Sequence, residues 1–312
     1  MLNANNYSDL RISIYRSLKS FTVLIIAGLI IKGVVFDSVS VQGNQMYPTL
    51  VRGDRIVYLK TPFVFPFSLF LSPPQEGTPV IFSMPQDYYS NILRVGALSG
   101  NTVKVNEGVF FRDGKGIEGP VSKSRPEEIL PKEYSPRDFM ESYYIPAPGD
   151  TVQFSDLSIR DFFFSFSLLK QENPSKDVTF EARLYRNDEL LENFVIENFS
   201  LYQGPLDSLP AQLRQDWLFW ERLRVYLDQS FTTPPHLSFE VYLEEERVES
   251  FVLNNDYIFL LADNWKEGTD SRYFGPVRSS KVRGRPFSVL WSRGQGQSRV
   301  ETLTARFGRF IK

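Results

Sequence analysis

The stretch VQGNQMYPTL at residues 41–50, followed by VRGDRIVYL at 51–59, indicates how this chain folds. It places a compact turn carrying Met46, Pro48 and Thr49 between an apolar segment and a run of strand length. The rest of the sequence repeats short apolar or alternating runs separated by Gly, Pro or Asn. These runs are DRIVYLK, TPVIFSM, NILRVGAL, NTVKVNEG, VFFRDG, YIFLLADN and RPFSVLWS. The pattern predicts a mainly β, antiparallel body.

Composition excludes several classes of function. The chain has 312 residues, 42% of them hydrophobic, which suffices for one sizeable core or two modest domains. Its net charge of -2 argues against a nucleic-acid partner, which normally meets a basic face. Cysteine is absent and His236 is the only histidine. A thiolate nucleophile, a disulfide and a multi-histidine metal site are therefore excluded, and we predict no metal and no cofactor.

One segment has the character of a membrane anchor. FTVLIIAGLIIKGVVF at 21–36 is apolar all round and follows Arg11, Arg16 and Lys19. It is slightly short of the ~20 residues that cross a bilayer, and flanking lysine stems can extend it. A cleaved signal peptide and a buried helix are the alternatives. We predict a single transmembrane anchor at 20–36, with residues 1–19 in the cytoplasm and the main domain outside, at the bacterial inner membrane.

The sequence pattern changes between residues 154 and 250, where helical spacing replaces many of the strand-length runs. SDLSIRDFFFSFSLLKQEN and LDSLPAQLRQDWLFWERLRVYLDQ have helical spacing, and Asp207 or Ser208 is the expected cap of the second. Two hairpin-like stretches, FEARLYRNDELLENFVIEN and FEVYLEEERVESFVLNN, resemble each other loosely, by duplication or by chance. We predict an inserted α+β cap at 154–250 on a β body formed by 37–153 and 251–312. The apolar stretch TPFVFPFSLFLSPP at 61–74 either packs in the body or dips into the bilayer surface.

Four collinear motifs resemble those of the bacterial type I signal peptidase family. GNQMYPTLVRGDRIVY resembles its nucleophile box S-M-x-P-T-L, and EGTPVIFSMP resembles a following strand. LRVGALSGNTVKV resembles its K-R-x-x-G-L-P-G-D box, and LLADNWKEGTDSRYFGPV resembles its G-D-N-R-x-N-S-x-D-S-R box. The resemblance implies a signal-peptidase-like β fold with one N-terminal membrane helix. Members are serine endopeptidases that remove signal peptides from exported proteins at the outer membrane face.

The resemblance also implies a catalytic dyad that this sequence lacks. In the family a serine attacks, a neutral lysine takes its proton and a second hydroxyl orients the amine. Here Gln45 stands at the nucleophile position, Leu93 at the general-base position and Gly268 at the lysine-orienting position. Ala262 also replaces a glycine of the last box. The framework of the site is retained in Met46, Pro48, Thr49, Arg94, Asp263, Asn264, Asp270, Ser271 and Arg272.

Three hypotheses follow. The first is a proteolytically inactive homologue that binds extended peptides, signal peptides or a partner at the outer membrane face. The second is an active signal peptidase with a displaced dyad, drawn from Ser38, Ser40, Lys60 and Lys104. The third is an assembly subunit that acts through the insert, with LRQDWLFWERLRVYL as a partner-facing helix.

Overall fold

The computed structural model describes residues 4–60, 74–83, 91–117, 129–130, 135–292 and 306–311. The apolar stretch at 61–74 lies, except for Pro74, outside the described residues. The two alternatives for its location therefore stay predictions.

The chain begins with one helix, α1 (Ala4–Val34), of 31 residues. It continues without a break through the predicted boundary at residue 20, and β1 (Phe36–Ser40) starts inside the predicted anchor. Large apolar side chains from Ile14 to Leu29 are exposed on α1. Within the part of the chain that the structure describes, no helix is both long and apolar enough to cross a membrane. The transmembrane anchor at 20–36 is therefore not confirmed.

The body is antiparallel, as the alternating runs predict. Its largest sheet has seven strands in the order β1-β2-β19-β3-β4-β17-β18. After β1 these are β2 (Asp54–Lys60), β3 (Pro79–Phe82), β4 (Asn91–Leu98), β17 (Tyr257–Leu261), β18 (Val277–Arg278) and β19 (Val282–Ser292). The interior strand β4 is buried on both faces between β3 and β17. The mainly β prediction is confirmed.

Two smaller sheets extend the body. A four-stranded sheet has the order β7-β6-β5-β8, and a two-stranded sheet pairs β16 with β9. Their strands are β5 (Thr102–Asn106), β6 (Val109–Arg112), β7 (Lys115–Gly116), β8 (Met140–Tyr144), β9 (Thr151–Gln153) and β16 (Ser250–Val252). Because β9 and β16 pair with each other, the segment between them leaves and re-enters the body at one place.

That segment has a sheet and a core of its own. The sheet has the order β11-β10-β14-β15, from β10 (Val178–Arg186), β11 (Glu189–Leu190), β14 (His236–Leu243) and β15 (Glu246–Val248). A small pair joins β12 (Val195–Ile196) to β13 (Gly204–Pro205). The helices are α2 (Ile159–Glu172), α3 (Ala211–Arg214) and α4 (Trp217–Ser230). An aromatic-rich core includes Phe162, Phe180, Phe219 and Trp220.

The second predicted helix is broken into three pieces. Residues Leu206–Ser208 form a 3-10 turn, and α3 follows Pro210, which has no N–H to continue a helix from the preceding turn. The long helix α4 begins only at Trp217, where the Asp216 carboxylate accepts from the Leu218 N–H at 3.0 Å. The prediction that Asp207 or Ser208 caps this helix is wrong, because both lie in the separate turn.

The aromatic stripe of α4 is core. Phe219, Trp220, Leu223 and Leu227 are buried in the insert, and each such burial contributes about 1.5–3 kcal/mol. The outward face carries Arg224, which pairs with Glu221 and Asp228. A partner-facing role for this stripe is therefore not supported.

The insert packs directly on the body. Phe164 and Leu168 of α2 belong to a core cluster that also contains Tyr257 and Phe259 of β17. The Trp217 Nε1–H donates to the Tyr273 carbonyl at 2.7 Å, and the Gln171 amide donates to the Pro276 carbonyl at 2.9 Å. These contacts place the insert against the segment that follows β17.

Candidate functional site

The turn at 41–54 is held by its own backbone and by the core. The Val41 N–H donates to the Asp54 carbonyl at 2.8 Å, and the Gly53 N–H donates back to Val41 at 2.9 Å. Met46 and Leu50 are buried in one apolar cluster and are joined by a hydrogen bond from the Leu50 N–H to the Met46 carbonyl. These contacts hold the turn in a fixed shape.

A buried ion pair joins this turn to the rest of the site. Arg94 Nε and Nη2 donate to the two oxygens of Asp263, each at 2.7 Å, and both residues are buried. The Thr49 hydroxyl donates to the same carboxylate at 2.5 Å. Arg94 Nη1 also donates to the Gly77 carbonyl at 2.6 Å. A bidentate arginine–carboxylate pair fixes direction as well as distance, so β4, the turn and the end of β17 form one unit.

A second buried pair holds the loop after β17. Asp270 and Arg272 are both 0% exposed and form the ion pair that the D-S-R motif predicts, with contacts of 2.9 and 2.8 Å. The guanidinium of Arg272 stacks on Trp265 at 3.6 Å from the ring centroid. Asp270 also accepts from the Ala262 N–H at 2.9 Å, and the Ser271 hydroxyl accepts from Leu260. The short helix α5 (Ser271–Phe274) starts at this pair.

Gln45 lies at the contact between the turn and this loop. Its carbonyl accepts from the Asn264 N–H at 2.8 Å, and the Asn264 side chain donates to the Asn44 carbonyl at 3.2 Å. The Gln45 side chain folds back over Gly43 so closely that a Cβ at residue 43 would overlap its amide. Gln45 thus contributes its backbone carbonyl to the contact between the turn and the loop, and its side-chain amide cannot form an acyl-enzyme.

Leu93 is in the apolar interior. It is 2% exposed and shares a cluster with Val80, Val95, Leu260 and Ala262. A leucine fills such a site without the desolvation cost that a lysine amine would carry. Leu93, at the position that the motif predicts for the general base, has no titratable atom.

Gly268 lies against Ala262. A Cβ on residue 268 would overlap the Ala262 methyl and would come within 2.7 Å of the Asn264 carbonyl oxygen. The Gly268 N–H already donates to that oxygen at 2.8 Å. The methyl group of Ala262 therefore occupies the space that any side chain at 268 would enter.

Gln45 and Gly268 meet at the loop 262–268. Ala262 packs in the same cluster as Leu93 and blocks Gly268, while Asn264 binds the Gln45 backbone. The structure thus brings Gln45 and Gly268 to one loop, and it places Leu93 in the apolar cluster that contains Ala262 of that loop. The framework residues Asp263 and Asp270 are buried in ion pairs at its two ends.

Three of the four residues proposed for a displaced dyad contact other groups. The Ser38 and Ser40 hydroxyls accept from the Arg55 guanidinium at 2.9–3.2 Å, and arginine cannot act as a base. Lys60 donates to the Gly33 carbonyl at 2.7 Å and lies 3.5 Å from Asp37. Lys104 is exposed on β5. Within the described ranges, no hydrogen bond joins a serine or threonine hydroxyl to a lysine amine.

Sequence reasoning missed one residue that holds the turn. Arg306, close to the C-terminus, donates to the Thr49 carbonyl at 2.9 Å and lies 3.1 Å from buried Asp54. The sequence does not predict this contact, because no local pattern links residue 306 to residue 49.

Comparisons with known proteins identify the family of this chain. A family model described as signal peptidase, peptidase S26, matches residues 14–291. This chain belongs to the signal peptidase family. The resemblance given by the four motifs is thereby confirmed.

Relatives in this family align with part of the chain. A probable signal peptidase I-1 from Synechocystis sp. is 32% identical over 117 residues, covering 35% of this chain and 57% of that protein. A signal peptidase I from Bacillus licheniformis is 25% identical over 116 residues, covering 37% and 59%. The aligned part thus spans a little over half the length of these relatives.

A solved structure also matches, at a low score. It is the crystal structure of a signal peptidase I from Enterococcus faecalis V583, with 14% identity and a TM-score of 0.25. The match covers 69% of this chain and 97% of the other. A score this low carries no argument about the site.

Proposed function

We propose that this protein is a proteolytically inactive signal peptidase homologue that binds extended peptides or a partner at the outer face of the membrane. The observation that carries the proposal is Leu93, which is 2% exposed in an apolar cluster at the position of the general base. Without an ionisable group there, a hydroxyl placed near it has no base to take its proton.

The retained framework supports binding rather than loss of the whole site. The buried pairs Arg94–Asp263 and Asp270–Arg272 keep the turn and the loop 262–268 in place. Breaking a buried pair typically costs about 3–5 kcal/mol, so these two pairs stabilise the surface around the loop 262–268. Extended peptides bind such β bodies by adding a strand, and this mode uses backbone groups rather than a catalytic dyad.

Helix α1 supports a location at the membrane. Its large apolar side chains between Ile14 and Leu29 are exposed, and an exposed apolar surface of this kind requires a lipid or protein partner. The apolar part of α1 is by itself too short to cross a membrane, and the stems of Lys19 and Lys32 extend it. We propose that, extended in this way, it anchors the chain in the bacterial inner membrane as a single span, with the N-terminus in the cytoplasm and the β body outside.

The alternative is an active signal peptidase with a displaced dyad. It would need a serine or threonine hydroxyl beside a neutral amine. Ser38, Ser40 and Lys60 are engaged with Arg55, Gly33 and Asp37, and within the described residues no hydroxyl is hydrogen-bonded to the exposed Lys104. Engaged groups of this kind offer no free base, so the inactive reading is favoured.

One experiment tests location and activity together. Membranes carrying the full chain are washed with alkaline carbonate, incubated with a radiolabelled preprotein and analysed for chain, bound preprotein and product. We expect the chain to stay in the pellet, the preprotein to bind, and its length to remain unchanged. Release of the chain by carbonate contradicts the anchor, and a mature-length product contradicts inactivity.

A further inference from the structure

The insert has a strand edge that no described strand covers. Strand β14 pairs with β10 along its whole length, but β15 covers only Val241–Leu243 on the other side. The first half of β14, residues 236–240, has no described strand beside it on that side. Five residues of strand present about 16 Å of edge.

The register shows which backbone groups point to this edge. Val241 and Leu243 face their partners Val248 and Glu246 across the ladder with β15. Because hydrogen-bonding direction alternates along an antiparallel strand, Phe239 and Leu237 direct their N–H and C=O groups to the same side. Two donors and two acceptors are therefore available for an added strand.

A groove of about 660 Å³ lies along this edge. Its far wall is the segment 153–157, which is held by a hydrogen bond from the Phe154 N–H to the Glu249 carbonyl at 2.9 Å. Apolar side chains of Phe154, Leu157 and Phe162 line it.

The charge of the groove selects its occupant. Asp156, Glu240 and Glu249 line it together with Arg247 and His236. Glu240 pairs with Arg247 at 3.0 Å and with Arg183 at 2.9 Å, so Asp156 and Glu249 are the carboxylates left to meet a basic side chain. The side chains of an added strand alternate between the two faces of the sheet. Those on one face would meet the apolar lining, and those on the other would meet the carboxylates.

We infer that this groove binds an extended peptide segment of alternating basic and apolar residues, by strand addition to β14. The site lies on the insert, and the residues that line it do not include the loop 262–268. It is independent of whether the body hydrolyses peptides.

The test uses the full chain in detergent and a labelled heptapeptide of alternating Lys and Val, followed by fluorescence polarisation. We expect binding that weakens with salt, no binding of the matched Glu/Val peptide, and loss of binding when alternate backbone nitrogens are methylated. Equal binding of the methylated peptide contradicts strand addition. Absence of binding by the Lys/Val peptide at millimolar concentration overturns the proposal.

Variants separate this groove from the body. Asp156→Asn with Glu249→Gln is expected to weaken binding roughly tenfold, since each lost charge contact contributes modestly. Asn also tolerates the positive φ of 56° at residue 156, so the fold is retained. The matched control is Glu246→Gln, an exposed residue outside the groove, which should change affinity less than twofold. Unchanged affinity in the double variant overturns the assignment to this groove.

Discussion

Replacing Arg272 with methionine should destabilise the protein by about 3–5 kcal/mol, because it leaves a buried carboxylate without its cation. Arg272 and Asp270 are 0% exposed, and the guanidinium also donates to the Arg137 carbonyl at 3.1 Å and stacks on Trp265. The loss should lower the midpoint of thermal unfolding by roughly 10 °C in a domain of this size. Circular dichroism of the detergent-solubilised variant measures it.

The matched control is Arg224→Met on helix α4. Arg224 also contacts two carboxylates, at 2.6 and 2.7 Å, but it is exposed. Solvent screening limits such pairs to about 0.3–0.5 kcal/mol each, so the control should stay within a few degrees of wild type. Similar losses in both variants would mean that burial of the Asp270–Arg272 pair is not what stabilises the loop.

Restoring the dyad should require four changes rather than three. Gln45→Ser and Leu93→Lys supply the nucleophile and the base, and Gly268→Ser supplies the orienting hydroxyl. In the present structure a side chain at 268 overlaps the Ala262 methyl, so Ala262→Gly is also needed. We expect the quadruple variant to cleave a preprotein at mildly alkaline pH, on the order of 10²–10⁴-fold above buffer.

The triple variant that keeps Ala262 should remain at the buffer rate. Overpacking typically costs about 1–3 kcal/mol, and it would displace the serine or the loop 262–268. Stability measurements check this separately from activity. Gly268→Ser alone should be destabilising, and adding Ala262→Gly should recover part of the loss, since the 2.7 Å approach to the Asn264 oxygen remains.

Equal cleavage by the triple and quadruple variants would contradict the role given to Ala262. A quadruple variant that folds, as judged by its thermal unfolding, and still leaves the preprotein intact would show that the site has changed beyond these four positions.

Local pattern predicted much of the fold. The run DRIVYLK coincides with β2, and NILRVGAL coincides with β4, because alternating or continuous apolar runs bounded by turn residues are set by local geometry. The first insert helix was also predictable, with Ser158 accepting from the Asp161 N–H as its cap. Helix α4 was misjudged because Pro210 and Asp216 divide the apolar stretch into separate pieces.

Contacts between distant residues were not predictable. The motifs pointed to Gln45, Leu93 and Gly268, but nothing in the sequence states that the Ala262 methyl fills the space beside Gly268. The contact of Arg306 with Thr49 joins residues that are 257 positions apart in the sequence. Such contacts arise from packing of the whole fold rather than from spacing along the sequence.

The central claim is that no residue of this protein forms a covalent acyl intermediate. The most direct measurement is the intact mass of the wild-type chain during incubation with a signal-peptide ester that has alanine at the scissile position. The incubation is at about pH 8–9, where a buried lysine is neutral, and it is stopped with acid. Heat-unfolded chain is the control for nonspecific acylation. We predict an unchanged mass in both samples, and an ester-linked adduct on a serine or threonine of the folded chain alone would contradict it.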